Sequence, residues 1–362
     1  MGYPTISISD IRRFKRCRRK WNYQSPHQRG LVSKEPQTAL YLGSGVHKAL
    51  EVYYNSEDDR DPTRVFTQWA EDEREKIVEE LPEGTELWQD DLDELDEAVE
   101  LGIEMIDHYK LWASKNDPDE IDEMMVVEQP FHVPLYTPKG NRAHCNLYGI
   151  IDGLFVDRFG DFWVHEIKTA AQLGQKNLDQ DEQALAYMYA ARELWGIDCA
   201  GMMFTVLRKK VPTIPRELKN GDITVRKNIA TTYDVYFNKL IEYYGDEDSI
   251  PMDRYEEILE KLDQQENPFF ERDKIRKTSY ELDEFSNRLY HTYRDMMGNP
   301  ALYPNPTRDC SWDCSFQDVC IQQSDGADYE RTLDRLYKKR DYERKGVDQA
   351  LTPDSADSIT VA

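Results

Sequence analysis

The chain has 362 residues, 39% of them apolar, and a formal net charge of −24. That is enough apolar content to bury a substantial core in one elaborated domain or two, while the acid excess argues against binding nucleic acid through a broad basic face. No apolar run approaches the roughly 20 residues a membrane span requires and the N-terminus is polar and basic, so the sequence reads as cytoplasmic with no membrane partner; no Gly-rich phosphate cradle is present, which leaves an ATP-driven helicase activity unsupported.

The chain opens with Ser7-Ile8-Ser9-Asp10-Ile11-Arg12-Arg13-Phe14-Lys15-Arg16-Cys17, inside a basic run that continues through Arg18, Arg19 and Lys20. Such a run reads either as a nucleic-acid contact or as a solvated face. Gly43-Ser44-Gly45-Val46-His47-Lys48-Ala49-Leu50-Glu51 follows, with His47 on a helix face. Acid concentrates over Glu79–Glu97 and again over Asp246–Glu266. Leu92, Leu95, Val99, Ile103, Ile106 and Tyr109 recur at helical spacing, which predicts an amphipathic helix from Asp91 to about Lys115 within an insertion. In the first strand, Val126–Phe131, Glu128 is either an assistant to a site or an ordinary solvated carboxylate.

Gly149-Ile150-Ile151-Asp152-Gly153-Leu154 and Val164-His165-Glu166-Ile167-Lys168-Thr169-Ala170 are strand-like runs separated by a short turn. Arg158-Phe159-Gly160 offers glycine for a left-handed position, so the pair is predicted to be a β-hairpin in which Asp157 pairs with Asp161 and Asp152 falls opposite Glu166. Side chains alternate across a strand, so Glu166 and Lys168 share one face while Ile167 points into the other. Two facing carboxylates in a half-buried sheet are costly unless a cation lies between them, and Mg²⁺ or Mn²⁺ is what oxygen ligands select. Lys168 then reaches the water or phosphate held there, which suits phosphodiester hydrolysis. The bland alternative is a strand of ordinary surface charges.

A helix is predicted from Lys176 to about Leu194, with Gln183 and Tyr187 one turn apart on one face. A strand at Met202–Leu207 ends in Arg208, Lys209 and Lys210. Helices at Ile229–Tyr244, Asp253–Asp263 and Ser279–Met297 build a helical layer. Asn299–Asp309, rich in proline, is an irregular approach to Cys310, Cys314 and Cys320. A charged tail follows, with a short helix over about Asp328–Lys345 and disorder over Thr352–Ala362.

The order of these pieces, with Asp on the second strand, Glu-x-Lys on the third and Gln-x-x-x-Tyr on the following helix, resembles the PD-(D/E)XK nuclease superfamily. Within it the chain looks like the RecB-type branch that includes CRISPR-associated adaptation nucleases and many phage exonucleases. The segment around His47 is similar to that branch's first motif, and the stretch from Ser7 to Cys17 to its N-terminus. The resemblance implies an α/β core, a mixed central sheet flanked by helices, over residues 31–210, with a helical insertion at about 58–118. It implies that His47, Asp152, Glu166 and the Ile167 carbonyl hold the catalytic Mg²⁺ or Mn²⁺, that Lys168 positions or activates the attacking water, and that Gln183 and Tyr187 contact DNA or order the lysine. Ile151 stands where the superfamily's name places a proline, which many branches lack.

Six cysteines are present. In a reducing compartment the trio at 310, 314 and 320 reads as a metal or cluster site before it reads as disulfides. The same resemblance supplies Cys17 as a fourth ligand, and implies a [4Fe-4S] cluster in preference to zinc, acting as a clasp on the C-terminal segment; spacing alone suits either. Trp312 and Phe316 shield it or are plain packing, and Cys145 and Cys199 are core thiols. The expected organisation is an N-terminal segment (1–30), the nuclease core (31–210), a helical extension (211–300), the cluster segment (301–323) and a charged, partly disordered tail (324–362). The expected function is a DNA exonuclease acting on single- or double-stranded ends beside recombination or replication proteins, in a host cytoplasm if phage-encoded. The alternatives are a flap- or spacer-trimming endonuclease and a non-catalytic DNA-binding scaffold.

Overall fold

The structure, a computed structural model, describes residues 4–34, 38–79, 89–174, 178–219, 221–340, 350–353 and 355–356. The chain begins with β1 (Thr5–Ser7) and turns directly into α1 (Ile8–Arg16), because the Ser7 hydroxyl accepts from the Asp10 amide and caps the helix. α2 (Arg18–Gln24) and β2 (Leu31–Ser33) lead to a helical stretch of α3 (Thr38–Tyr54), α4 (Pro62–Glu79) and α5 (Gln89–Glu120). The core then runs β3 (Glu123–Tyr136), β4 (Arg142–Val156), β5 (Phe162–Ala170), α6 (Glu182–Trp195) and β6 (Gly201–Arg208). α7 (Tyr233–Tyr244), α8 (Met252–Gln264), β7 (Phe270–Arg276) and α9 (Ser279–Met297) follow, then α10 (Cys310–Asp313), α11 (Gln317–Asp325), α12 (Tyr329–Leu336) and β8 (Tyr337–Lys339). No helix among the described residues is long and apolar enough to cross a membrane.

The central sheet is mixed, in the order β1-β4-β5-β6-β7, with β3 on the other edge of β4. Alternation along the strands separates two cores. Val164, Met202 and Phe204 pack with Leu185, Met188 and Tyr189 of α6, while Ile167 and Leu207 pack with Val46, Leu50, Ile106 and Tyr109 of α3 and α5. Helices therefore cover both faces, an α/β architecture with α6, α9 and α1 on one side and α3 and α5 on the other. α7 and α8 form a small separate core around Tyr236 and Tyr255.

The β4–β5 hairpin turns through Arg158-Phe159-Gly160, with Gly160 at φ +82° and the Asp157 amide donating to the Asp161 carbonyl at 3.0 Å. Four expectations need correction. The helix expected from Lys176 starts only at Glu182, because Asp181 caps it through the Gln183 amide; Lys176 lies outside the described residues. The helical layer over 211–300 contains β7, which pairs antiparallel with β6 from Gly201 to Leu207. Its sequence, Phe-Glu-Arg-Asp-Lys-Ile-Arg, carries the charge that edge strands tolerate, so it lacks an apolar strand signature. The helix expected over Asp328–Lys345 ends at Leu336, and the chain continues as β8 against β2; residues 341–345 lie outside the described residues. Part of the tail expected to be disordered, Thr352–Ala362, is placed: just after Leu351, which exchanges backbone hydrogen bonds with Pro130 and His132 at the edge of β3, the Thr352 carbonyl accepts from the Ser355 and Ala356 amides and Ala356 packs on the main core, while 354 and 357–362 lie outside the described residues.

Candidate active site

One feature of the sheet opens the site. β3 occupies one edge of β4 throughout; on the other edge β1 pairs with Asn146–Tyr148 and β5 with Gly153–Val156. Gly149 to Asp152 lie in the gap between these two ladders, where β4 and β5 diverge. Gly149 is required there, because a Cβ would stand 2.6 Å from the Phe131 ring that crosses it. At the mouth of the gap the Asp152 side chain replaces the missing backbone partner, its Oδ2 accepting from the Ile167 amide at 3.0 Å.

Both faces reach this notch. From α3, His47 brings Nδ1 to 3.6 Å from Asp152 Oδ2 and 3.4 Å from Glu128 Oε1, and these three residues place ligating atoms within 4.8 Å of one another. Burial opposes protonation of His47, but the Glu128 hydrogen bond, the Asp152 and Glu128 charges and the Ile167 backbone outweigh it and raise its pKa to about 9. A proton on His47 thus supplies the positive charge that the acids demand. Glu128 lies on β3 between the Val127–Gly153 and Gln129–Ile151 pairs, with φ at +46°, a conformation costly for a residue other than glycine. The strained turn of backbone aims its carboxylate at His47. Asp152 itself is pushed up to about 6, first by burial and then by Glu128, against the charge of His47.

Glu166 stands on the α6 side of the gap. Its Oε1 accepts from Gln183 Nε2 at 2.8 Å, while Oε2 is buried with no hydrogen-bond partner among the described residues. Burial, then the Asp152 charge, raises its pKa well above the usual carboxylate range. His165, its neighbour, faces the other core, bonds Thr205 Oγ1 at 2.7 Å and is kept neutral by burial, so it does not join the cluster.

Lys168 shares the Glu166 face. Its Nζ lies 2.6 Å from Asp181 Oδ2, 3.9 Å from Glu166 Oε1 and 4.8 Å from the centre of the Phe204 ring. Gln183 Nε2 also donates to the Tyr187 hydroxyl at 2.9 Å, and Gln183 Oε1 accepts from Arg12 at 3.0 Å. Burial, then the charges of Glu166 and Asp152, holds Tyr187 as a neutral phenol. His47, Asp152, Glu166, Lys168, Gln183 and Tyr187 therefore meet at one notch, with the Ile167 backbone between them. Two further residues belong to it. Glu128, read in sequence as either an assistant to a site or a solvated carboxylate, stands beside His47, and nothing local announces its positive φ. Asp181 carries a visible signal, an acid just ahead of an apolar-periodic helix, but that signal marks a helix cap and not a partner for Lys168.

The basic run at the N-terminus does not form a free cationic face. Arg13 pairs with Asp10 and Lys15 with Glu182, Arg16 with Asp313 and Asp309, and Arg18 lies over Phe14 and Tyr303. Lys20 donates to the Asp313 carbonyl. Arg12 alone among them is held at the notch, 3.8 Å from Asp181 Oδ1.

Away from the notch, Cys17, Cys310, Cys314 and Cys320 line one cavity of about 420 Å³. Backbone amides of Lys20 and Asn305 approach Cys17 Sγ at 3.5 Å and that of Thr307 approaches Cys310 Sγ at 3.4 Å; Arg19 approaches Cys320 Sγ at 3.5 Å. Phe316 is buried in a stack between Tyr23 and Tyr337, whereas Trp312 is 76% exposed and shields nothing. Cys145 and Cys199 are buried apart from this cavity.

A model of the PD-(D/E)XK nuclease superfamily matches residues 5–321. No curated protein matches the chain. A solved structure titled "Crystal structure of SSO0001" is similar over 88% of this chain and 87% of its own, at 11% identity and a TM-score of 0.31, too loose a likeness to carry any argument.

Proposed function

Because the chain belongs to the PD-(D/E)XK nuclease superfamily, we propose that it is a metal-dependent DNA exonuclease that hydrolyses phosphodiester bonds at DNA ends. The observation that carries this reading is the notch itself: a histidine and three carboxylates around a split in the sheet, with a lysine alongside. The residues fit a divalent ion. Three ligating atoms converge within 4.8 Å, Glu166 Oε2 is buried with no partner among the described residues, and burial raises the pKa values of Asp152 and Glu166 against the charges of His47 and Lys168. Oxygen donors with one imidazole suit Mg²⁺ or Mn²⁺. His47, Glu128, Asp152, Glu166 and the Ile167 carbonyl would hold the ion, which supplies Lewis acidity and offsets the charge that develops on the phosphate oxygens.

The chain's own groups do the rest. Lys168 presents an ammonium beside the acids, placed to orient the attacking water and the phosphate. Gln183 fixes the rotamer of Glu166 by donating to one oxygen, which leaves the other without a partner among the described residues. Tyr187 backs the Gln183 amide from the buried side. Glu128 and Asp152 both hold the Nδ1 side of His47, and as a ligand the imidazole would have to be neutral, so its affinity for an ion would fall as the pH falls.

We also infer that Cys17, Cys310, Cys314 and Cys320 hold a [4Fe-4S] cluster, with zinc as the competing occupant. Four thiols drawn from both ends of the chain around one cavity, with N–H donors directed at the sulfurs, support it. Its role is a clasp, alongside the β2–β8 pairing and the Tyr23–Phe316 stack. Such thiols point to the reducing cytoplasm.

The decisive experiment incubates the purified protein with Mn²⁺ and linear DNA labelled separately at each 5′ and 3′ end, single- and double-stranded, beside closed circles. Loss of label from ends, abolished in Lys168→Ala with DNA binding retained, is the expected result. Cutting of circles points instead to an endonuclease, and a parent protein inert with both Mn²⁺ and Mg²⁺ points to the scaffold. Elemental analysis for iron and zinc decides the cluster.

A further inference from the structure

Lys168 has a long flexible stem and two carboxylates within reach. Its Nζ is 2.6 Å from Asp181 Oδ2 and 3.9 Å from Glu166 Oε1. Asp181 is in turn fixed. Its other oxygen caps α6 by accepting from the Gln183 amide at 2.9 Å and lies 3.8 Å from the Arg12 guanidinium, and its side chain is only 9% exposed. The carboxylate is therefore locked to the first turn of α6, the helix whose Gln183 also holds Glu166. The geometry makes Asp181 the anchor that keeps the ammonium off Glu166.

We propose, resting on the metal-nuclease reading above, that Asp181 is a positioning residue: it holds Lys168 beside the notch and keeps Glu166 free to ligate the ion. Without it the nearest acceptor for the ammonium is Glu166, and a Lys168–Glu166 ion pair occupies the carboxylate oxygens that the ion requires. The same displacement takes Lys168 away from the place where it orients the phosphate. Asp181 thus acts through Lys168 and touches neither substrate nor ion.

The test is Mn²⁺ binding to the full chain, measured by titration calorimetry and independent of cleavage. Asp181→Asn keeps the size of the side chain and a capping oxygen, since asparagine caps helices about as well as aspartate, so the fold is retained. Asp181→Ser, another capping residue, provides a second variant should the first misfold. Either substitution is expected to weaken Mn²⁺ binding roughly tenfold, the range for residues that orient metal ligands. Adding Lys168→Ala is expected to restore binding to the level of Lys168→Ala alone, because the competing ammonium is gone; a merely structural loss is not rescued this way. Binding by Asp181→Asn equal to the parent, or a double variant as weak as the single one, overturns the assignment. A parent that takes up no Mn²⁺ removes the nuclease reading and this inference with it, whereas a parent that binds Mn²⁺ no more tightly than the Asp181 variants removes only the inference.

Discussion

Replacing Asp152 by asparagine should stabilise the protein in the absence of metal while destroying its response to metal. Burial is the main force raising the Asp152 pKa from 3.8 to about 6. At 1.36 kcal/mol per unit, the ionised carboxylate costs the folded state about 3 kcal/mol near pH 8, a ceiling since relaxation and coupling to Glu166 reduce it. The sign follows from the raised folded pKa. The cost is absent below the unfolded value, grows as the unfolded chain ionises first, and is complete above about pH 6. At pH 5 about half of it is present. Asparagine retains an oxygen for the Ile167 amide, so the backbone bond at the gap survives. At about 2 °C per kcal/mol for a chain of this size, Asp152→Asn in EDTA is expected to melt roughly 2 to 5 °C above the parent at pH 8 and to gain about half as much at pH 5. Saturating Mn²⁺ then raises the melting temperature of the parent but not of the variant. Thermal melts followed by circular dichroism at the two pH values check this. A variant that melts below the parent in EDTA at pH 8, or one whose gain is as large at pH 5, refutes the claim that this acid is held ionised against its environment.

Glu128→Gln is expected to weaken Mn²⁺ at least tenfold with little change in the metal-free melt, since the amide keeps the contact with His47 but loses the charge; calorimetry reads both. Cys17→Ser is expected to lose iron or zinc on elemental analysis and to expose the Asn299–Asp309 approach to limited proteolysis, while a parent-like digest would count against the clasp. A Cβ at position 201 would stand 2.0 Å from the Ile275 carbonyl oxygen, a backbone atom that cannot yield cheaply. Gly201→Ala is therefore expected to cost about 2 kcal/mol or more, and a neutral substitution would contradict the β6–β7 register.

The hairpin that carries the two acids is legible because its signals are local: alternating apolar residues and a three-residue turn with glycine at the left-handed position. Asp152 and Glu166 follow from counting outward from that turn. His47 is not reachable by such counting, since it comes from a helix packed on the opposite face and meets Asp152 only where β4 and β5 part. Neither is Glu128, whose role depends on a left-handed backbone that glutamate does not advertise. β7 escapes because an edge strand with alternating charges looks like a loop or helix surface. Asp181 shows a different failure, because the helical pattern runs upstream of the aspartate at which the helix begins; the cap and the partner of Lys168 are the same carboxylate.

The acid excess of the chain acquires a structural meaning from where its cations go. Exposed ion pairs are worth little individually, yet those of α1 share a pattern along the helix. Arg12 and Lys15 engage Gln183 and Glu182 at the start of α6, and one turn on, Arg16 engages Asp309 and Asp313 beside the cysteine cavity. α1 is therefore a strut from the notch to the cysteine cavity, and Cys17 ends it. The basic run serves register between two parts of the molecule and leaves little cationic surface for long-range attraction of DNA. Screening limits the reach of each remaining cation to about 8 to 10 Å, and at the notch those cations are Arg12 and Lys168. For such a protein, attraction of the substrate is weak until a phosphate enters the site, and the positive charge that matters is the charge that does the chemistry.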